Sequence, residues 1–161
     1  RPARTSRPRA TGADTRLSGE PHRHHPIKFS SPGDDEPTRV FFFAEASLAH
    51  QTAAALRDIG DLDGAAREFR RSVDTRQASA FTRTHAVTLG YLGMVQAQQL
   101  SMEEACVTWS QSLTAMEGVR SGRARDVAQQ IRTMLSPFRG RRLPGVDQVD
   151  QRAAAYLAAT A

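Results

Sequence analysis

The chain has 161 residues and a formal net charge of +5; 39% of its residues are apolar and 6% are aromatic. This length suits one domain, or a small domain with a tail. The single cysteine excludes an internal disulfide framework and a Cys-rich zinc site. No apolar run approaches the roughly 20 residues that cross a membrane, and the basic N-terminus lacks the apolar stretch of a secretory signal. We therefore expect a cytoplasmic protein with no membrane contact.

Residues 1–38 differ in composition from the rest of the chain. They hold six of the eight prolines and few large apolar side chains, and they show neither a helical nor a strand period. Such a segment cannot bury enough apolar surface to offset the entropy that ordering costs. We therefore predict a disordered Arg- and Pro-rich tail over residues 1–38, followed by an α-helical domain over residues 39–161.

Six helices are predicted in that domain from the three- and four-residue spacing of apolar positions and from the glycines and prolines that interrupt it. Leu48 is expected on the apolar stripe of the first helix, and Leu100 on the apolar face of the third. The fourth begins with an S-x-x-E capping box at Ser101 and Glu104. No segment alternates with period two for long enough to predict a sheet. The predicted helix starts are Phe41, Asp63, Thr82, Ser101, Ala124 and Asp147.

Two stretches of the domain share a pattern at an offset of 40 residues. Small residues in this pattern let two antiparallel helices approach closely, and an aromatic residue one turn later fills the space where they diverge. Such a helix pair cannot bury its apolar face alone, so the core closes only when pairs stack. The aligned positions are Ala53 with Gly93, Ala65 with Ala105, Phe69 with Trp109, Ser72 with Ser112, and Val73 with Leu113.

The pattern resembles tetratricopeptide repeats, whose second helix reads G-D-x-x-x-A-x-x-x-F-x-x-A/S and is matched by residues 60–72. Two departures are that Leu100 replaces the turn glycine and that the offset exceeds the usual length of about 34 residues. The resemblance implies an all-α fold in which antiparallel helical hairpins stack as a short superhelix, with the last two helices as a degenerate third pair. The alternative is an unrelated α-helical bundle.

Four shorter strings resemble the C-terminal repeat region of actinobacterial transcriptional regulators that carry an N-terminal helix-turn-helix: residues 55–62, 69–73, 84–89 and 103–109. This resemblance implies a regulatory sensor or interaction domain. The family's DNA-binding module has no counterpart in this sequence, so we expect no sequence-specific DNA binding by this chain.

The tetratricopeptide resemblance also implies a groove that binds a protein or peptide. Arg57 is expected to pair with a peptide carboxylate, and Met94 to give an adaptable apolar contact. The alternative for each position is contact with water or with the neighbouring helix. An alternative function is self-association, because the ends of a short array expose apolar helix faces unless they are capped. The implied groove residues are Ser47, His50, Ala54, Arg57, Val87, Gly90, Met94 and Ala97.

Two residue clusters carry metal-binding or nucleophilic side chains. The histidines at positions 22, 24 and 25 have imidazoles that can bind a metal, but they lack a carboxylate at fixed spacing. Cys106 and His85 lack a third orienting group, so we predict that Cys106 fills a small apolar position. We therefore expect no metal site, no cofactor and no enzymatic activity.

Overall fold

The computed structural model of the protein describes residues 36–141 and 143–161, with side chains from Ala44 onward. This part of the chain contains helices and turns but no strand. The predicted all-α fold of stacked helical hairpins is therefore confirmed. The histidine cluster and most of the predicted tail lie outside the described residues. The helices are α1 (Glu36–Asp58), α2 (Leu62–Thr75), α3 (Thr82–Gln98), α4 (Met102–Ala115), α5 (Gly122–Leu135) and α6 (Val146–Ala159), with a short 3-10 turn at Ser136–Phe138.

The helices form three hairpins, α1 with α2, α3 with α4, and α5 with α6. The second hairpin packs on the first mainly through α2 and α3, whereas the third packs on the second through α3 with α5 and α4 with α6. α3 is therefore central, and almost every residue from Ala86 to Ala97 is buried. A helix that is apolar on all sides is stable only when neighbours surround it. Among the described residues, no helix is long and apolar enough to cross a membrane.

The first two hairpins make the same buried hydrogen bond at equivalent positions. The Ser72 hydroxyl donates to the carbonyl oxygen of Ala46 over 2.7 Å. The Ser112 hydroxyl donates to the carbonyl oxygen of Ala86, also over 2.7 Å. Both the donors and the acceptors are separated by the 40-residue offset found in the sequence. The repeat is therefore present in the contacts between helices as well as in the residue pattern.

The turns that close the first two hairpins share a left-handed residue. Gly60 has a φ of 87°, and Leu100, at the equivalent position, has a φ of 65°. The left-handed conformation costs an L residue about 1–2 kcal/mol relative to glycine's unrestricted backbone. Leu100 is also 91% exposed, so the expectation that it belongs to the apolar face of the third helix was wrong. Leu100 is exposed because it lies in the turn where the chain reverses between α3 and α4.

Replacing Leu100 with glycine is expected to stabilise the protein. The glycine removes the backbone strain but increases the entropy of the unfolded chain, so the net gain is about 0.5–1 kcal/mol. The free energy of unfolding in urea measures this gain. The converse control is Gly60→Ala, where no atom lies within 4 Å of a Cβ and strain alone should cost about 1 kcal/mol. A Leu100→Gly variant less stable than the wild type contradicts the turn geometry.

The buried stripe of α1 differs from the predicted one. Ala46, Ala49 and Ala53 are buried, whereas Leu48 is 69% exposed. The prediction placed Leu48, a large apolar side chain, on the core face of α1. In the structure alanines lie on that face, because α1 approaches α2 closely only where side chains are small. The placement of Leu48 in the core was therefore wrong.

The predicted capping box at the start of α4 does not form. Ser101 is the N-cap residue, but its side chain makes no capping hydrogen bond. Glu104 instead accepts hydrogen bonds from Nη2 of Arg70 and Nε2 of Gln96, each over 2.7 Å. These two bonds connect the first turn of α4 to α2 and α3. The Glu104 carboxylate therefore bonds to side chains of other helices and does not cap α4 as the S-x-x-E motif predicted.

Candidate partner-binding face

The first helices of the three hairpins line one side of the molecule, which we call the α1–α3–α5 face. Two cavities lie along it. The basic cavity has a volume of about 350 Å³, and the polar cavity has a volume of about 460 Å³. The basic cavity is lined by His50, Arg83, Thr84, Val87, Arg120, Ser121, Gly122 and Arg123. The polar cavity is lined by Arg57, Tyr91, Met94, Gln98, Gln130, Thr133 and Met134.

The two cavities follow one another along the same direction in all three helices. Residue numbers increase from the basic to the polar cavity, from His50 to Arg57 in α1, from Val87 to Met94 in α3, and from the start of α5 onward. Seven residues of helix correspond to about 10 Å. The two cavities therefore lie about 10 Å apart along α3, and we call them together the furrow.

The structure places half of the predicted groove residues at these cavities. His50 and Val87 line the basic cavity, and Arg57 and Met94 line the polar cavity. The remaining four line neither cavity: Ser47 and Ala54 are half-buried in α1, and Gly90 and Ala97 are buried in α3. Partner binding at the cavity-lining positions stays a prediction.

Gly90 is a packing position and not part of an open groove. A Cβ at this residue would overlap Cγ1 of Val127 in α5. Its carbonyl oxygen accepts a hydrogen bond from Nε1 of Trp109 over 3.1 Å. The third hairpin covers Gly90 by packing α5 directly on α3. The placement of Gly90 on an open surface was therefore wrong.

Arg57 already has partners within the chain. Its Nη2 lies 2.9 Å from Oδ1 of Asp58, and its guanidinium carbon lies 5.6 Å from the ring centroid of Tyr91. An exposed ion pair contributes little to stability, so a ligand carboxylate can replace Asp58 at small cost. The contact with Tyr91 holds the guanidinium over the polar cavity.

His50 connects α1 to α3 at the wall of the basic cavity. The hydroxyl of Thr88 donates to the carbonyl oxygen of Thr84 over 2.8 Å, so its oxygen accepts from Nδ1 of His50 over 3.1 Å. The neutral imidazole therefore carries its proton on Nδ1. Its ring also packs edge-on against Phe69 at a centroid distance of 5.5 Å.

The two described histidines are held in the neutral form. Burial lowers the pKa of His50 below its ordinary value of 6.5, and the charges of Arg76, Arg123 and Arg57 lower it further. Burial also lowers the pKa of His85, again with a contribution from Arg76. At pH values near 6.5 both rings therefore bind fewer protons in the folded protein than in the unfolded chain.

The free energy of unfolding is expected to fall as the pH is lowered from about 7 to about 5. In this range the unfolded histidines bind protons with the ordinary pKa of 6.5, whereas the folded ones bind fewer, so acid favours unfolding. Urea unfolding at a series of pH values measures the slope. The His50→Gln, His85→Gln double variant should flatten it. A double variant with the wild-type slope contradicts the assignment.

The sequence did not single out the arginines of the basic cavity. Arg83 belongs to the first turn of α3, Arg120 to the connection before α5, and Arg123 to the first turn of α5. They are separated by up to 40 positions, and no local motif marks them. Only the packing of α5 on α3 brings them together.

Cys106 is buried, as its predicted apolar role requires. Burial raises the pKa of its thiol, and the nearby Glu103 raises it further. A raised pKa disfavours the reactive thiolate. Among the described residues, no group of three or more His, Cys, Asp and Glu side chains is arranged to hold a metal ion.

The fold and the face define an all-α protein of three stacked hairpins with a furrow along its first helices. No protein-family model, no curated protein and no solved structure matches the chain.

Proposed function

We propose that the chain is a non-enzymatic interaction module that binds a protein or peptide along the α1–α3–α5 face. Within this proposal it belongs to a tetratricopeptide-type transcriptional regulator whose DNA-binding domain lies outside this sequence. The observation that carries the proposal is that all three hairpins contribute side chains to two cavities on the same face. The regulatory context rests on the sequence resemblance alone.

The dimensions of the furrow support a peptide ligand. From Arg83 to Gln98, α3 extends over about 22 Å. An extended peptide of about six or seven residues has this length. Because the lining side chains project from packed helices, little ordering entropy is lost on binding. Tyr91 is half-buried and supplies an aromatic contact of the kind that anchors peptides, whereas Met94 lines the same cavity but is only 5% exposed.

The chemistry of the furrow changes along its length. The basic cavity presents three arginines and no carboxylate, whereas the polar cavity presents one arginine, Arg57, which is paired with Asp58, together with amide, hydroxyl and apolar groups. A peptide that carries its negative charge at one end is therefore favoured in a single orientation, because the reverse orientation leaves the arginines unneutralised.

Selection from a displayed library of short random peptides tests this proposal. The most enriched peptide is synthesised, and its Kd is measured by calorimetry. Gln130→Arg, at the polar cavity, should weaken binding at least tenfold, or about 1.4 kcal/mol. The matched control is Gln111→Arg, which makes the same change on the exposed surface of α4. Equal affinities for the two variants would contradict binding at this face.

A second candidate function, self-association, is favoured by an uncovered stripe on α1. Leu48 is 69% exposed and Ile59, just past its end, is 79% exposed. Ala44 and Ala55 are also exposed, and the spacing places all four on one side of the helix. In a repeat array the outer side of a terminal helix is where another hairpin stacks. A second copy of the chain is the candidate occupant.

Light scattering at micromolar concentration tests self-association. Under this second candidate the wild type is a dimer, and Leu48→Glu is a monomer because a charge at the contact prevents burial. Val107→Glu is the control, since Val107 is an exposed apolar residue of α4 outside the stripe. A wild type that is monomeric, or a Val107→Glu variant that dissociates equally, counts against α1 as a self-association surface.

A further inference from the structure

Three arginines without ionic partners meet at the basic cavity. Arg83, Arg120 and Arg123 line it, and none forms an ion pair within the described part of the chain. Most of the other described arginines do find a carboxylate, as Arg70 does with Glu104 at 2.7 Å. No residue that lines the basic cavity is acidic. The cavity therefore concentrates positive charge with which no carboxylate of the described residues forms an ion pair.

The same cavity lies at the N-terminal ends of two helices. Arg83 and Thr84 belong to the first turn of α3, which begins without a side-chain capping bond. Gly122 and Arg123 open α5, where the Ser121 hydroxyl accepts only from the amide of Ala124, over 3.3 Å. Backbone N–H groups in the first turn of a helix have no partner within it and carry a partial positive charge. Both helix ends therefore add to the field of the arginines.

A buried and incompletely bonded guanidinium lies near His50, which lines the cavity. Arg76 is only 6% exposed, and its Nε and Nη1 have no hydrogen-bond partner among the described residues. Its remaining bond is a long one, 3.4 Å from Nη2 to the hydroxyl of Ser72. Arg76 lies close enough to His50, a lining residue, for its charge to lower the pKa of that ring. A buried cation with no counter-ion is costly, and an anion nearby reduces that cost.

We propose that the basic cavity binds a phosphate monoester, held by Arg83, Arg120 and Arg123 at the paired N-terminal ends of α3 and α5. A phosphate monoester carries close to two negative charges and three acceptor oxygens at neutral pH, which match three guanidinium groups. A carboxylate carries one charge and leaves two of the three arginines uncompensated. The phosphoryl group belongs either to a small metabolite or to a phosphorylated side chain of a peptide.

This inference does not depend on the peptide proposal, because it is tested with a small molecule. Calorimetry at low ionic strength measures the binding of phenyl phosphate to the full chain, with benzoate as the carboxylate comparison. We expect one site per chain, and affinity for benzoate at least tenfold weaker. Absence of measurable binding of phenyl phosphate, or equal binding of benzoate, overturns the proposal.

Charge-matched variants locate the site. Arg120→Gln and Arg123→Gln should each weaken phenyl phosphate binding at least tenfold. Arg67→Gln removes the same charge from the exposed surface of α2 and should leave the affinity unchanged. Equal losses in all three variants mean general attraction to a basic protein and overturn the proposal. Unchanged thermal unfolding of each variant shows that the fold is retained.

Amide NMR gives an independent readout and separates the two sources of phosphate. Phenyl phosphate should shift the amide signals of Thr84, Gly122 and Arg123 in the wild type. Shifts confined to other parts of the chain overturn the assignment. A capped phosphoserine tripeptide that binds more tightly than phenyl phosphate supports the site with a peptide source. Weaker binding of the tripeptide, at the same shifted amides, supports the site with a small-molecule source.

Discussion

Gly93→Ala is expected to lower the free energy of unfolding by about 2–3 kcal/mol. A Cβ at this position would lie 2.5 Å from both Cδ1 and Nε1 of Trp109. The indole cannot withdraw easily, because it is fully buried and its Nε1 donates to the carbonyl oxygen of Gly90. The added methyl group therefore forces α3 and α4 apart at their closest approach. Urea unfolding followed by far-UV circular dichroism measures the loss.

Gly122→Ala is the matched control for this substitution. Gly122 is also helical, but within the described part of the chain no atom other than those of its own helix backbone and chain neighbours lies within 4 Å of the position that its Cβ would take. The same added methyl group should change the free energy of unfolding by no more than about 0.5 kcal/mol. A Gly93→Ala variant as stable as Gly122→Ala would mean that α3 and α4 do not cross at this register.

The largest expected loss is that of Trp109→Ala, about 3–5 kcal/mol. Trp109 is the largest fully buried side chain, and its removal leaves a cavity between α3, α4 and the third hairpin. The substitution also removes the hydrogen bond to Gly90. Because Trp109 is the only tryptophan, circular dichroism and not fluorescence must follow the unfolding.

Phe69→Ala tests the repeat through the same experiment. Phe69 occupies the equivalent position of the first hairpin and is also fully buried. Its truncation should cost a similar amount, about 3–5 kcal/mol. Val107→Ala, at an exposed position of α4, should cost no more than about 0.5 kcal/mol. A small effect at Phe69 together with a large one at Trp109 would contradict the equivalence of the two hairpins.

The sequence predicts the helices and their pairing because both depend on local spacing. The third helix was expected to begin at Thr82 and spans Thr82–Gln98. The 40-residue offset was found from small and aromatic residues, and these same residues make the close contacts between helices. The sequence pattern recurs in the structure because each hairpin packs its two helices in the same way.

The sequence predicts the exposed surfaces less well, because they depend on how hairpins stack. Leu48 was expected in the core, but the core side of α1 is determined by its approach to α2. Gly90 was expected in the groove, but α5 covers it. The position of Gly90 in the tetratricopeptide pattern alone could not show this burial. The burial arises from the way the third hairpin packs on the second, through α3 with α5 and α4 with α6.

The basic cavity likewise could not be predicted from the sequence. Its arginines come from three places in the chain, and composition alone indicates only that residues 118–161 are rich in positive charge. A sequence signal would require knowledge that α5 starts beside the start of α3. His50 and Val87 were predicted as groove residues because they match first-helix positions of the tetratricopeptide pattern. Arg120 lies in a connection that this pattern does not describe.

The most direct test of the binding face is a titration of the isotope-labelled chain with the selected peptide, followed through backbone amide signals. We predict that the shifted amides lie in α1, α3 and α5, around Arg57, Met94, Arg123 and Gln130. The outer surfaces of α2, α4 and α6 should be unaffected. Saturable shifts confined to those outer surfaces would contradict the account.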